Sequence, residues 1–89
     1  MLPYECEIAI REAIYILIDR HPEFEYGVKA DAGFPADIFV KDRKTGFISD
    51  LHIPDKIYRN YDYEPFLWKL VEDLEKASDK LNDILEGNA

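Results

Sequence analysis

Asp37, Asp50 and His52 are the residues whose types and spacing come nearest to chemistry in this chain. The two aspartates stand thirteen positions apart, and His52 follows Asp50 by two. Carboxylates projecting from one face of a strand pair can hold a divalent cation, which then activates water. The same residues have a purely electrostatic reading, in which an aspartate and a histidine face each other across neighbouring strands on a solvated surface. The rest of the reactive inventory is thin. His21 and His52 are the only histidines and Cys6 the only cysteine. The sequence therefore pairs no nucleophile with a base, and it has no zinc cluster and no glycine-rich phosphate loop. No intrachain disulfide can form. Cys6 falls on the apolar side of a predicted helix, where a thiol is buried and inert. No catalytic residue, metal or cofactor is assigned.

A second set of residues offers charge rather than reactivity. Nineteen Asp and Glu face eleven Lys and Arg, a formal net charge of -8 on 89 residues. Residues 1–37 and 60–89 each carry a net -5, whereas 38–59 carry +2. Such an imbalance favours solubility and selects partners by charge, without specifying a fold. Glu5, Glu12 and Asp19 recur every seven residues near the N-terminus. Glu72, Glu75, Asp79, Asp83 and Glu86 populate the C-terminal third. Glu72 and Lys76 are a helix-stabilising pair four apart, but Glu75–Asp79 and Asp79–Asp83 are like-charged at the same spacing and cost stability. Close by lie Tyr58, Tyr61, Tyr63, Phe66 and Trp68. Tyrosine and tryptophan concentrate at interface hot spots; the same residues can instead cap the open end of a small core.

The elements that position these groups follow from periodicity. Eighty-nine residues make one domain, 1–89. An apolar fraction of 47% excludes intrinsic disorder despite the charge. Cys6, Ile10, Ala13, Ile14, Leu17 and Ile18 mark the buried face of a helix over 3–20, opened by Pro3 and stopped before Pro22. Residues 23–30 alternate as a half-buried strand, with Phe24, Tyr26, Val28 and Ala30 inward. Residues 31–35 are rich in turn formers. Strands at 37–41 and 47–53 form a hairpin through 42–46, with Gly46 supplying a positive φ. Pairing Ala36 with Ile53, Ile38 with Leu51 and Val40 with Ser49 keeps apolar residues on one face; a one-residue slip sets Ile38 and Val40 against His52 and Asp50. This register puts Asp37 beside His52 on the other face, with Phe39, Lys41, Ile48 and Asp50. A last helix over about 63–86 repeats Leu67, Leu70, Leu74, Ala77, Leu81 and Ile84 at three-four spacing, and Gly87 ends it. At roughly 33 Å it is longer than strands of roughly 23 Å, so the turns around Leu81, Ile84 and Leu85 are expected to overhang the sheet and need a cover. The fold class is α+β, in the order α-β-β-β-α: a three-stranded antiparallel sheet with both helices on one face.

Three resemblances follow from these residues and this order. Phe34, Pro35, Ala36 and Asp37 followed by Asp50, Leu51 and His52 resemble the metal-binding hairpin of the PD-(D/E)xK nuclease superfamily. The resemblance implies Asp37 and Asp50 as metal ligands, with His52 where that family has lysine. No fourth strand follows the last helix, a departure from that fold. The order α-β-β-β-α is also that of double-stranded RNA-binding domains. Those grip phosphate with lysines near the start of their last helix, where this chain has Asp62, Glu64, Glu72 and Asp73 against Lys69; direct nucleic-acid binding is therefore not expected. Lys41, Arg43, Lys44 and Lys56, the local basic cluster, read as a soluble hairpin tip. In size, charge and order the chain is similar, at class level, to small phage-encoded inhibitors such as anti-CRISPR proteins.

The sequence points to a small, acidic, non-enzymatic protein-binding module: an inhibitor of DNA-mimic or phage anti-defence type that occupies a basic, nucleic-acid-binding groove of another protein. Its expected contact residues are Glu72, Glu75, Asp79, Asp83, Tyr61 and Trp68. A metal-dependent nuclease or its degenerate relative is the alternative, and a homodimeric structural protein pairing through the C-terminal helix is the second alternative. The N-terminus has no signal-like apolar run, and the longest apolar run, 13–18, is far short of a membrane span. No membrane partner and a cytoplasmic location are expected.

Overall fold

Each element begins or ends where the local chemistry requires it. The computed structural model describes residues 2–29, 36–54 and 60–87. It runs α1 (Pro3–Arg20), β1 (Phe24–Val28), β2 (Ala36–Asp42), β3 (Ile48–Ile53) and α2 (Tyr63–Gly87). The predicted turn at 31–35, Lys56 and Tyr58 lie outside the described residues. Proline opens α1 without a side-chain cap, and the His21 N–H closes it by donating to the Leu17 carbonyl at 2.8 Å. The hairpin loop is held by Asp42: its carboxylate accepts the Thr45 N–H at 2.8 Å and the Thr45 hydroxyl at 2.7 Å, and its carbonyl accepts the Gly46 N–H at 2.9 Å. Gly46 has φ +81°, the left-handed geometry that a side chain resists. The bonds from Thr45 hold the Asp42 carboxyl below its ordinary range.

The sheet order is β1-β2-β3, both pairings antiparallel. β2 and β3 adopt the register read from burial: Ala36 opposite Ile53, Asp37 opposite His52, Ile38 opposite Leu51 and Val40 opposite Ser49. Phe24, Tyr26, Ile38, Val40 and Ile53 face the helices in one core with Cys6, Ala9, Ala13 and Leu17 of α1 and Phe66, Leu70, Leu74 and Leu81 of α2. Among the described residues the opposite sheet face carries no helix. There the Phe39 ring lies across Gly27, its cross-strand neighbour; a Cβ at 27 would sit 2.6 Å from ring carbons. Burial pushes the Cys6 thiol up to about 12, aided by the Glu7 charge, which makes it a poor nucleophile.

The two helices run side by side in the same direction. The Tyr63 hydroxyl of α2 donates to Glu12 of α1, and farther along the ends of Arg20 and His21 meet Glu75. Ser78 donates to the Leu74 carbonyl at 2.8 Å, so the buried Tyr26 hydroxyl must supply the proton of its own 2.8 Å bond to Ser78. That bond ties β1 to α2 one turn before Leu81.

Leu81 is fully buried within its own chain, and Leu85 packs against the core. The expected overhang therefore begins later than the length arithmetic implied. The Tyr26–Ser78 bond carries β1 alongside α2 almost as far as Leu81. Among the described residues no helix is long and apolar enough to cross a membrane.

Candidate partner-binding surface

The open sheet face carries the residues singled out for metal chemistry, and the fold divides them. His52 Nδ1 donates to Asp37 Oδ1 at 2.7 Å, the cross-strand pair that the register implied. Asp50 takes another partner, with Lys29 Nζ 2.9 Å from its Oδ1. Both pairs are about half exposed, and such pairs contribute little to stability. Among the described residues no group of three or more His, Cys, Asp or Glu side chains is disposed to hold a metal ion. Lys29 went unread because β1 joins the hairpin through a register that hydrophobic alternation alone does not set.

The candidate contact residues on α2 also separate. Trp68, Glu72, Glu75, Asp79, Asp83 and Glu86 are spaced by four, three, four, four and three, which places them along one stripe of the helix. Its far side supplies Leu67, Leu70, Leu74 and Leu81 to the core. Trp68 heads the stripe and is 53% exposed. Glu72, Asp79, Asp83 and Glu86 are exposed, Glu72 sharing a 3.2 Å ion pair with Lys76. Glu75 is employed internally: its carboxylate accepts Arg20 at 3.2 Å and His21 Nε2 at 2.9 Å, while the His21 ring stacks on Phe24. Tyr61 is half-buried, its ring 6.2 Å from that of the buried Phe66. The aromatic group thus divides between both readings, Tyr61, Tyr63 and Phe66 closing the core and Trp68 facing solvent.

No protein-family model, curated protein or solved structure matches this chain. The surface must be read from its own chemistry.

Two features of that chemistry escaped the sequence reading. Tyr4, Ile8 and Tyr15 form an exposed apolar row on the outer side of α1; the signal was present as i, i+4, i+11 spacing off the core face, but the acidic heptad obscured it. The Glu75 cluster joins residues 54 and 55 positions apart, beyond any local pattern. Partial burial pushes the Glu75 carboxyl up, but the hydrogen bonds from His21 and Arg20, with the charges behind them, outweigh this and hold it below its ordinary 4.5. A lowered folded-state pKa adds stability above the unfolded value and loses it as pH falls through the folded one. Glu75→Gln should therefore cost about 0.5–1 kcal/mol at pH 7, roughly 3–6 °C in Tm for a domain of this size. The gap between variant and wild type should shrink steadily below about pH 4.5, as thermal melts across pH 3–7 would show.

Proposed function

We propose that this chain is a small acidic protein-binding module that occupies the basic, nucleic-acid-binding groove of a partner protein, acting in the cytoplasm as an inhibitor by imitating DNA. The observation that carries the reading is the composition of the exposed α2 stripe. Its last turn holds no cation, although the helix dipole favours one there, and Asp83 and Glu86 stand near that end instead. Asp79 and Asp83 repel each other one turn apart. Lys76 and Lys80, three positions before Asp79 and Asp83, offset part of that repulsion; exposed positions are free to change, so the remaining opposition to stability is expected where function selects it. At the head of the same stripe stands an exposed tryptophan, the residue type most prominent among interface anchors.

The division of labour follows from range. A row of carboxylates about 6 Å apart per helical turn steers a basic surface from a distance set by the Debye length, about 10 Å at 0.1 M salt. Trp68 then supplies short-range affinity by burying its ring. The test is competition. Immobilised protein is loaded with purified DNA-binding proteins of known groove structure, then washed with double-stranded DNA at constant salt. Release of a bound protein by DNA, together with steep weakening of capture between 50 and 300 mM salt, supports occupation of the groove. Capture indifferent to both DNA and salt would sink the reading.

A further inference from the structure

α1 and α2 lie together on one face of the sheet, and the offset between them sets what meets on their solvent side. Tyr63 follows its acceptor Glu12 by 51 positions, and Glu75 follows His21 and Arg20 by 54 and 55. Trp68 follows Tyr15 by an intermediate 53, so these two residues stand level on neighbouring helices. Direction follows from helical spacing. Trp68 precedes Glu75 by seven residues and so shares the side of α2 that reaches Arg20. Ile8, Tyr15 and Asp19 stand four before, three after and seven after Glu12, and so share the side of α1 that reaches Tyr63. Ile8, Tyr15 and Trp68 are all exposed, Tyr15 to 72%. Packed helices lie about 8–10 Å apart, so a valley of that width runs between α1 and α2, with Tyr15 and Trp68 on its two rims.

The free charge of this valley has one sign. Glu12 and Asp19 are exposed, and neither forms an ion pair among the described residues. Glu5, one heptad earlier, continues their row. The nearby cations are engaged or turned aside. Arg20 is bound to Glu75, which cancels its charge, and Lys76 is paired with Glu72. Arg11 stands nine residues before Arg20, about two and a half turns, and so points to the opposite side of α1. What remains is an apolar strip edged by unpaired carboxylates, and its complement is an apolar strip edged by cations.

We infer that the valley between α1 and α2 seats a basic amphipathic helix of the partner protein, lying lengthwise along both. Apolar side chains of that helix enter between Tyr15 and Trp68 and continue over Ile8. Lysine or arginine on its flank meets Glu12 and Asp19, the aliphatic stems lying along the aromatic rings. The aromatic rims supply affinity, and the carboxylates select a basic helix over an acidic one. The inference rests on the proposed basic partner and names the element that the partner presents. It also brings in α1, which imitation of DNA by the α2 stripe does not use.

The probe is a capped peptide of about eighteen residues, roughly five turns, with leucine at three-four spacing and lysine elsewhere. One control replaces every lysine by glutamate; another keeps the composition but carries two prolines that break the helix. Amide NMR on the full chain should show shifts at Ile8, Glu12, Tyr15, Asp19 and Trp68 with the helical basic peptide only. Tyr15→Ala should weaken this binding by about tenfold or more while the melt stays in place. Glu12→Gln with Asp19→Asn, which keeps an acceptor for Tyr63, should weaken it several-fold and flatten its salt dependence. Equal binding of the proline control, shifts confined to α2, or full binding by either variant would overturn the inference. A doubled mass without peptide that Tyr15→Ala halves would overturn it too, and would assign the valley to a second copy. The two readings fail separately. Capture of DNA-binding proteins that DNA releases, undiminished in Tyr15→Ala, would overturn the helix seat and leave the α2 stripe in place. Capture indifferent to DNA and salt would remove the basic partner itself, and this inference with it.

Discussion

Leu81→Glu should unfold the protein rather than merely alter its assembly. Leu81 is fully buried, and removing a leucine side chain from such a site costs about 2–5 kcal/mol. A carboxylate put in its place adds a desolvation penalty of several kcal/mol, with no cation among the described core residues to offset it. An 89-residue domain has a total stability of roughly 4–13 kcal/mol, so one substitution removes most or all of it. Circular dichroism should show a lost or strongly lowered melting transition, while Leu81→Met, which conserves volume, should cost less than about 1.5 kcal/mol. The experiment also bears on pairing of two chains through the end of α2. A dimer seam built on Leu81 predicts a folded variant of halved mass. A folded monomeric Leu81→Glu protein with an unchanged melt would therefore refute the burial described and revive that seam.

The hairpin was legible because two independent constraints converge on it. Ile38, Val40 and Leu51 must share a face, and Gly46 must take a positive φ, so turn and register agree. The helices were legible from three-four spacing, though Ala9 belongs to the α1 core, and Ile14 and Ile18 are only partly buried against it. The α2 stripe could be read as a set of residues, since spacing alone puts Trp68, Asp79 and Asp83 together. What spacing could not show is which of its members the fold consumes. Glu75 is committed to Arg20 and His21 because the helices run in the same direction, a fact of tertiary topology with no local signal. Tyr61 meets Phe66 by a local contact, five positions apart at the start of α2. Likewise, alternation puts Asp37, Asp50 and His52 on one face, but it gives no sign that the path of β1 brings Lys29 to Asp50.

Asp83→Lys and Trp68→Ala together separate a working surface from an ordinary solvated one. Asp83 lies near the cation-free C-terminal end of α2 and one turn after Asp79. A lysine there would complement the helix dipole and turn a like-charged pair into an acid-then-lysine pair at i, i+4, the better orientation. Stability should rise by about 0.5–1 kcal/mol, a gain of roughly 3–6 °C in Tm. If the stripe meets a basic groove, the same change should slow association several-fold at low salt and flatten its salt dependence, with little effect on dissociation. Trp68→Ala should do the opposite. The side chain is more than half exposed, so the melt should hardly move, yet loss of an anchor worth about 2 kcal/mol weakens binding roughly thirtyfold, chiefly through faster dissociation. Surface plasmon resonance with a partner captured in the DNA competition would measure both rates. A stabilised Asp83→Lys protein that binds as fast as wild type would mean that the acids are only solvated, and an unchanged dissociation rate for Trp68→Ala would remove the anchor. Observing both losses on an intact fold would mean that the chain sustains a repulsive helix face because the repulsion is relieved only when a partner's cations lie against it.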